Sequence, residues 1–112
     1  MKSLVLIEVK PISVNECWQG RRYKTEKYKD WREEAYFCTR HSLKKPVGLC
    51  NLEIAFYVPS LGMDLDNMIK PVLDSLQDSQ VLKNDKLVMR IVAEKIKSNK
   101  PRIEVTIQTL DA

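Results

Sequence analysis

Residues 49–78 read LCNLEIAFYVPSLGMDLDNMIKPVLDSLQD, and this stretch decides the fold. Its first ten residues set Leu52, Ile54, Phe56 and Val58 on one side at a spacing of two. That is the period of a strand with one buried face. Pro59 and Gly62 close it. The period then changes: Ile69, Val72, Leu73 and Leu76 follow a three-and-four spacing, so residues 67–78 are predicted helical. Pro71 either pins the first turn of that helix, where its missing N–H does no harm, or introduces a kink.

The flanks extend the pattern on both sides. Residues 3–10 read as a strand ended by Pro11, followed by the long connection PISVNECWQGRR. From Thr25, a candidate N-cap, to His41 the larger apolar residues fall at Tyr28, Trp31, Ala35 and Cys38, one face of an amphipathic helix. After residues 49–78, KND at 83–85 is a turn and residues 86–96 a strand. SNKP turns the chain into a last strand over 102–110, expected to pair back on its predecessor as a hairpin. The order is βαβαββ, and the chain is expected to form a single domain over residues 1–112. Its class is α/β (α+β), a mixed sheet with helices packed on it.

At 112 residues, 44% apolar and 30% charged, the composition suits one globular unit and excludes a disordered chain. No apolar run approaches a membrane span, and MKSLVLIEVK lacks the pattern of a signal peptide. Cys17, Cys38 and Cys50 are odd in number and show no C-x-x-C spacing, which argues against a disulfide framework or a cysteine zinc site and suits a cytoplasmic location. A single histidine, His41, makes a His-rich metal site or a His-based triad a poor reading, and it is given no role.

The net charge of +4 is localised. Residues 19–32, QGRRYKTEKYKDWR, hold six basic and two acidic residues; the remainder holds thirteen of each, so the segment carries the entire surplus. Trp18, Tyr23, Tyr28 and Trp31 are interleaved with it. Basic residues with aromatic neighbours suit a phosphate backbone, and a solvated helix face suits the same residues equally well. Asn15 and Trp18, in the long connection, either meet nucleic acid or serve the loop's own hydrogen bonding.

Against this basic background, Asp64, Asp66 and Asp74 gather around Lys70. An Asp at a helix start accepts orphan N–H groups, which explains one of the first two. Two carboxylates together call for a cation between them. Asp66, Lys70 and Asp74 lie at i, i+4 and i+8, a stripe along one side of the helix beside its apolar face. If the strand before this helix and the strand after it are neighbours, Asp85 returns near one end of the helix. A few carboxylates completed by water are how Mg²⁺ is held in phosphate-handling sites.

The run DLDNMIKPVLDSL at 64–76, followed by VLKNDKLV at 81–88, resembles the signature of the RusA family. These are small, dimeric, Mg²⁺-dependent endonucleases that resolve Holliday junctions. PISVN at 11–15, RRYKT at 21–25 and the helix after them are similar too, so the resemblance spans nearly the whole chain. It implies metal-binding catalytic carboxylates at Asp64, Asp66 and Asp85, an essential lysine at Lys70 and a supporting acid at Asp74. The expected cofactor is Mg²⁺, with Mn²⁺ as a substitute, and the expected partners are branched DNA and a second copy of the chain. Asn15, Arg21, Arg22, Lys24 and Lys27 are the expected DNA-binding residues, with Lys44 and Lys45 alongside. The chain departs from the family pattern twice. Asn84 replaces the first of two adjacent acids, and Ser79-Gln80 stands where a glycine is expected. A branched-DNA-binding protein of the same fold that does not cut, and a D-x-D phosphatase, are the alternative readings.

Overall fold

The computed structural model describes residues 2–19 and 23–110. Along them run β1 (Lys2–Ile7), β2 (Trp18–Gln19), β3 (Tyr23–Lys24), α1 (Glu26–Thr39), β4 (Cys50–Val58), α2 (Asp66–Asp78), β5 (Val88–Lys97) and β6 (Arg102–Thr109). The βαβαββ order holds, with the small antiparallel pair β2–β3 added inside the long connection. The Cα radius of gyration, 13.5 Å, is that of one compact globular unit of this length.

The main sheet is mixed, in the order β1-β6-β4-β5. β4 lies inside it because it is the most continuously apolar strand: Cys50, Leu52, Ile54, Phe56 and Val58 are all buried. Burying each of the larger side chains stabilises the fold by about 1.5–3 kcal/mol. β5 runs parallel to β4, with Ile54 opposite Ala93, and β6 runs antiparallel to it, with Ile54 opposite Val105. The expected β5–β6 hairpin is therefore not formed. The short turn after β5 crosses the end of β4 instead, where the Ser98 N–H donates to the Val58 carbonyl at 2.8 Å. Placing β4 between the two gives the most apolar strand a neighbour on each side, which a hairpin would have denied it.

The helices cover the buried face of this sheet. Tyr28, Trp31 and Ala35 of α1 and Met68, Val72 and Leu76 of α2 join Val5, Ile7, Ile103, Val105, Ile107 and the β4 residues in one core. Two details of the expected faces change. Thr39, not Cys38, completes the buried face of α1, and Cys38 is exposed. The threonine hydroxyl is satisfied internally, donating to the Ala35 carbonyl at 2.8 Å, so burying it there leaves no polar atom unmade. On α2, Met68 rather than Ile69 leads the buried stripe, with Ile69 and Leu73 half-buried at its flank.

α1 starts as its sequence indicates: the Thr25 side chain accepts the Tyr28 N–H at 3.1 Å. Pro71 is the sixth residue of α2, past the first turn, and the helix runs on through it. Its buried ring offsets the backbone bond it cannot donate. α2 ends in a Schellman arrangement, with Gln80 N–H to the Gln77 carbonyl (3.1 Å) and Val81 N–H to the Leu76 carbonyl (2.9 Å). Gln80 has φ 61°, the left-handed conformation that glycine takes without strain. The turn is kept where the glycine is missing, and a glutamine bears the strain.

Candidate active site

The β4–α2–β5 crossover positions the acids. Asp64 lies in the loop leaving β4 and Asp66 is the first residue of α2; both are exposed. Neither carboxylate caps the helix: Leu65 occupies the N-cap position with no side-chain hydrogen bond. The capping role that would explain one of them is therefore not taken up. The loop itself is held from β5. Lys95 Nζ donates to the carbonyls of Leu61 at 3.0 Å and Met63 at 2.8 Å, fixing the backbone just before Asp64.

Because β4 and β5 are parallel neighbours, the start of β5 returns alongside α2 and brings Asp85 with it. Its N–H donates to the Gln77 side-chain carbonyl at 3.0 Å. Its carboxylate Oδ2 accepts from Lys70 Nζ at 2.7 Å. Lys70 also pairs with Asp74 Oδ1 at 3.1 Å, one turn along the helix. The ammonium thus bridges an acid of its own helix and an acid fifteen residues downstream. Hydrogen bonding to Asp85, reinforced by Asp74, raises the Lys70 pKa, and the bond from Lys70 holds the Asp85 carboxyl below its ordinary value. Both groups carry full charge at neutral pH.

The second oxygen of Asp74 is also engaged. Tyr28 of α1, 1% exposed, donates its hydroxyl to Asp74 Oδ2 at 3.0 Å. Burial and the neighbouring carboxylate raise the Tyr28 pKa far above that of free tyrosine, so it stays a donor. Beside this contact Arg32 pairs with Asp78, its Nε donating to Oδ2 at 2.7 Å, which ties α1 to α2 a second time.

Lys70, Asp74 and Asp85 are therefore brought together, with Asp66 on the same helix and Asp64 just before it. Carboxylate oxygens are the right donor chemistry for a hard divalent cation. Asp66 and Asp74 are separated by about 12 Å of helix rise, and among the described residues no three acids gather into one ligand set. Asn84, where a further acid is expected, caps the turn at 85–87: its Oδ1 accepts the Lys86 N–H at 2.9 Å.

The basic segment is partly neutralised. Lys27 pairs with Glu16, Lys29 with Glu26 and Arg32 with Asp78. Tyr28 and Trp31 belong to the core, with the Trp31 indole N–H donating to the Lys10 carbonyl at 2.8 Å, so neither is placed to stack on a base. Trp18, next to the segment and 43% exposed, is an aromatic placed to do so. Lys24 lies in β3 opposite Trp18, and Asn15 is exposed in the short turn before β2. It is Ser13, not Asn15, whose side chain closes that turn, accepting the Asn15 N–H at 3.2 Å. Arg21 and Arg22 lie outside the described residues. Lys44 and Lys45 are exposed in the loop before β4. The Cys17 thiol is buried and pushed up to about 11, which makes it unreactive.

Three contributors were not read from the sequence: Tyr28 as a partner of Asp74, Gln77 as the acceptor for Asp85, and Lys95 as the clamp on the loop. Gln77 left a signal, since it follows Asp74 by three on the same side of the helix. Tyr28 and Lys95 left none, because only packing brings residues of α1 and β5 to this site.

No curated protein matches the chain. A family model described as Endodeoxyribonuclease RusA matches residues 12–108, which include every acid of this site and the lysine between them. The chain belongs to the RusA endodeoxyribonuclease family.

Proposed function

We propose that the protein is a Mg²⁺-dependent, structure-selective endonuclease that resolves four-way DNA junctions by paired symmetrical nicks, working as a homodimer in the cytoplasm. The observation that carries this reading is the Lys70 ammonium held between Asp74 and Asp85, with Asp66 one turn earlier on the same helix and Asp64 just before it, both exposed and neither capping that helix. Membership of the RusA endodeoxyribonuclease family supports it.

Asp64, Asp66 and Asp85 are the residues that would hold Mg²⁺, with Mn²⁺ as a substitute. They do not form one ligand set in this structure, so they would have to close on the ion. Such an ion polarises a phosphoryl oxygen and acidifies a bound water. Lys70 stabilises the extra negative charge that develops on the phosphoryl group, and as a permanently charged donor it needs no proton transfer to do so. Asp74 keeps the ammonium at the site. Arg21, Arg22 and Lys24, with Lys44 and Lys45, grip the DNA backbones, and exposed Trp18 offers a stacking surface beside them. A two-fold dimer presents two such sites to strands related by the junction's own symmetry.

The test is incubation of synthetic four-way junctions with the protein in Mg²⁺ or Mn²⁺. Paired nicks that vanish in Asp66→Asn, with junction binding kept, support the assignment. A wild-type protein that binds junctions and leaves them intact with either ion is a non-cleaving branched-DNA binder, and the enzyme reading fails. Light scattering at micromolar concentration tests the dimer separately.

A further inference from the structure

We propose that Tyr28 is a positioning residue for Lys70: its hydroxyl fixes the Asp74 carboxylate, which in turn fixes the ammonium between Asp74 and Asp85. The inference rests on the nuclease reading for its catalytic meaning and on geometry alone for its structural claim. Asp74 has two oxygens and each has one assignment, Oδ1 to Lys70 at 3.1 Å and Oδ2 to Tyr28 at 3.0 Å. With both ends held, the carboxylate cannot turn about its own bond to follow a mobile lysine. Lys70, with its side chain 57% exposed, has a long flexible stem that would otherwise sample many rotamers. A buried phenol is a fixed reference for it, and this one is fixed from several sides.

The Tyr28 ring stacks near Trp31 (centroids 6.4 Å, planes at 28°) and lies 6.3 Å from the ring of Trp18. Arg32 stands over it at 5.4 Å, itself held by Asp78. Through Trp18 the same residue touches the short β2–β3 pair that carries Lys24. One side chain therefore links the strand pair proposed to meet DNA with the lysine proposed to act on the phosphate.

A buried tyrosine could satisfy its hydroxyl on the nearest carboxylate and do nothing more. Tyr28→Phe, which removes only the oxygen, separates the two cases. Under the proposal, single-turnover junction cleavage falls about tenfold, the scale of one charge-assisted hydrogen bond. Junction affinity stays at the wild-type value, and Tyr36→Phe on the outer face of α1 cuts like wild type. The same change adds nothing in an Asp74→Asn background, because both act through one link. A readout that needs no cleavage is the Lys70 side-chain methylene in protein labelled with ¹³C-lysine, its resonance assigned by loss in Lys70→Arg. It is ordered in the wild type and becomes mobile in Tyr28→Phe and Asp74→Asn alike.

An unchanged Lys70 resonance in a folded Tyr28→Phe protein overturns the proposal, and so do additive losses in the double variant. If wild type cuts no junction, the nuclease reading fails and the resonance alone decides the positioning claim. Should Tyr28→Phe not fold, Asp74→Asn carries the test: a Lys70 as ordered there as in wild type overturns the link.

Discussion

Replacing Lys70 by methionine separates an activity role from a structural one. The side chain makes two ion pairs, at 2.7 Å to Asp85 and 3.1 Å to Asp74. In the water limit these distances correspond to about 1.5 and about 1.3 kcal/mol of attraction. The lysine side chain is 57% exposed, however, so salt screening and the entropy of ordering it reduce the sum to about 1 kcal/mol of stability. That should lower the melting temperature by about 4–6 °C in a domain of this size. The effect on cleavage should be far larger. A charged donor aimed at the developing charge of a transition state is worth about 100- to 1,000-fold. The assay pairs urea unfolding, followed by tryptophan fluorescence, with single-turnover nicking of a four-way junction at saturating protein. The stability gap should shrink further in high salt. A loss of more than about 3 kcal/mol would mean that Lys70 is a buried-type structural link and that the exposure argument is wrong. Cleavage within about threefold of wild type would make it a bystander at the site.

The pH dependence of the same pair has a defined sign. Asp85 is depressed in the folded state, so its contribution is present above the unfolded carboxylate value and is lost as pH falls through the folded one. Lys70 is raised, so its contribution is present below the unfolded lysine value and is lost as pH rises through the folded one. Urea midpoints of wild type and Lys70→Met should differ by a constant amount from about pH 5 to 9, with the gap closing on either side. Gln80→Gly should stabilise the protein by about 1 kcal/mol, because glycine adopts the left-handed conformation at φ 61° without strain; an unchanged urea midpoint would count against that account. Lys95→Met removes both bonds to the loop before Asp64 and should raise the Mg²⁺ concentration for half-maximal cleavage by about three- to tenfold, with junction affinity unchanged.

Much of this protein could be read locally. Alternation over Leu52 to Val58 and the three-and-four spacing after Ile69 identify the strand and the helix that carry the site, because burial imposes those periods on neighbours in the chain. The same spacing puts Lys70 and Asp74 side by side, and the structure pairs them. Asp85 joins them in the sequence only on the condition that the strand after it lies beside β4, a condition that the parallel β4–β5 pairing meets.

What the tertiary structure alone decided lies between elements. The pairing of β6 with β4 rather than β5 depends on which strand most needs two neighbours, a comparison across the whole sheet that a four-residue turn does not encode. Tyr28 has the spacing of a core residue, and so it is, but its hydroxyl reaches an acid forty-six residues away only because α1 packs against α2. Lys95 holds the Asp64 loop only because β5 lies beside β4. The acids and the lysine are written along the chain; their order in space comes from packing, which no short-range pattern records.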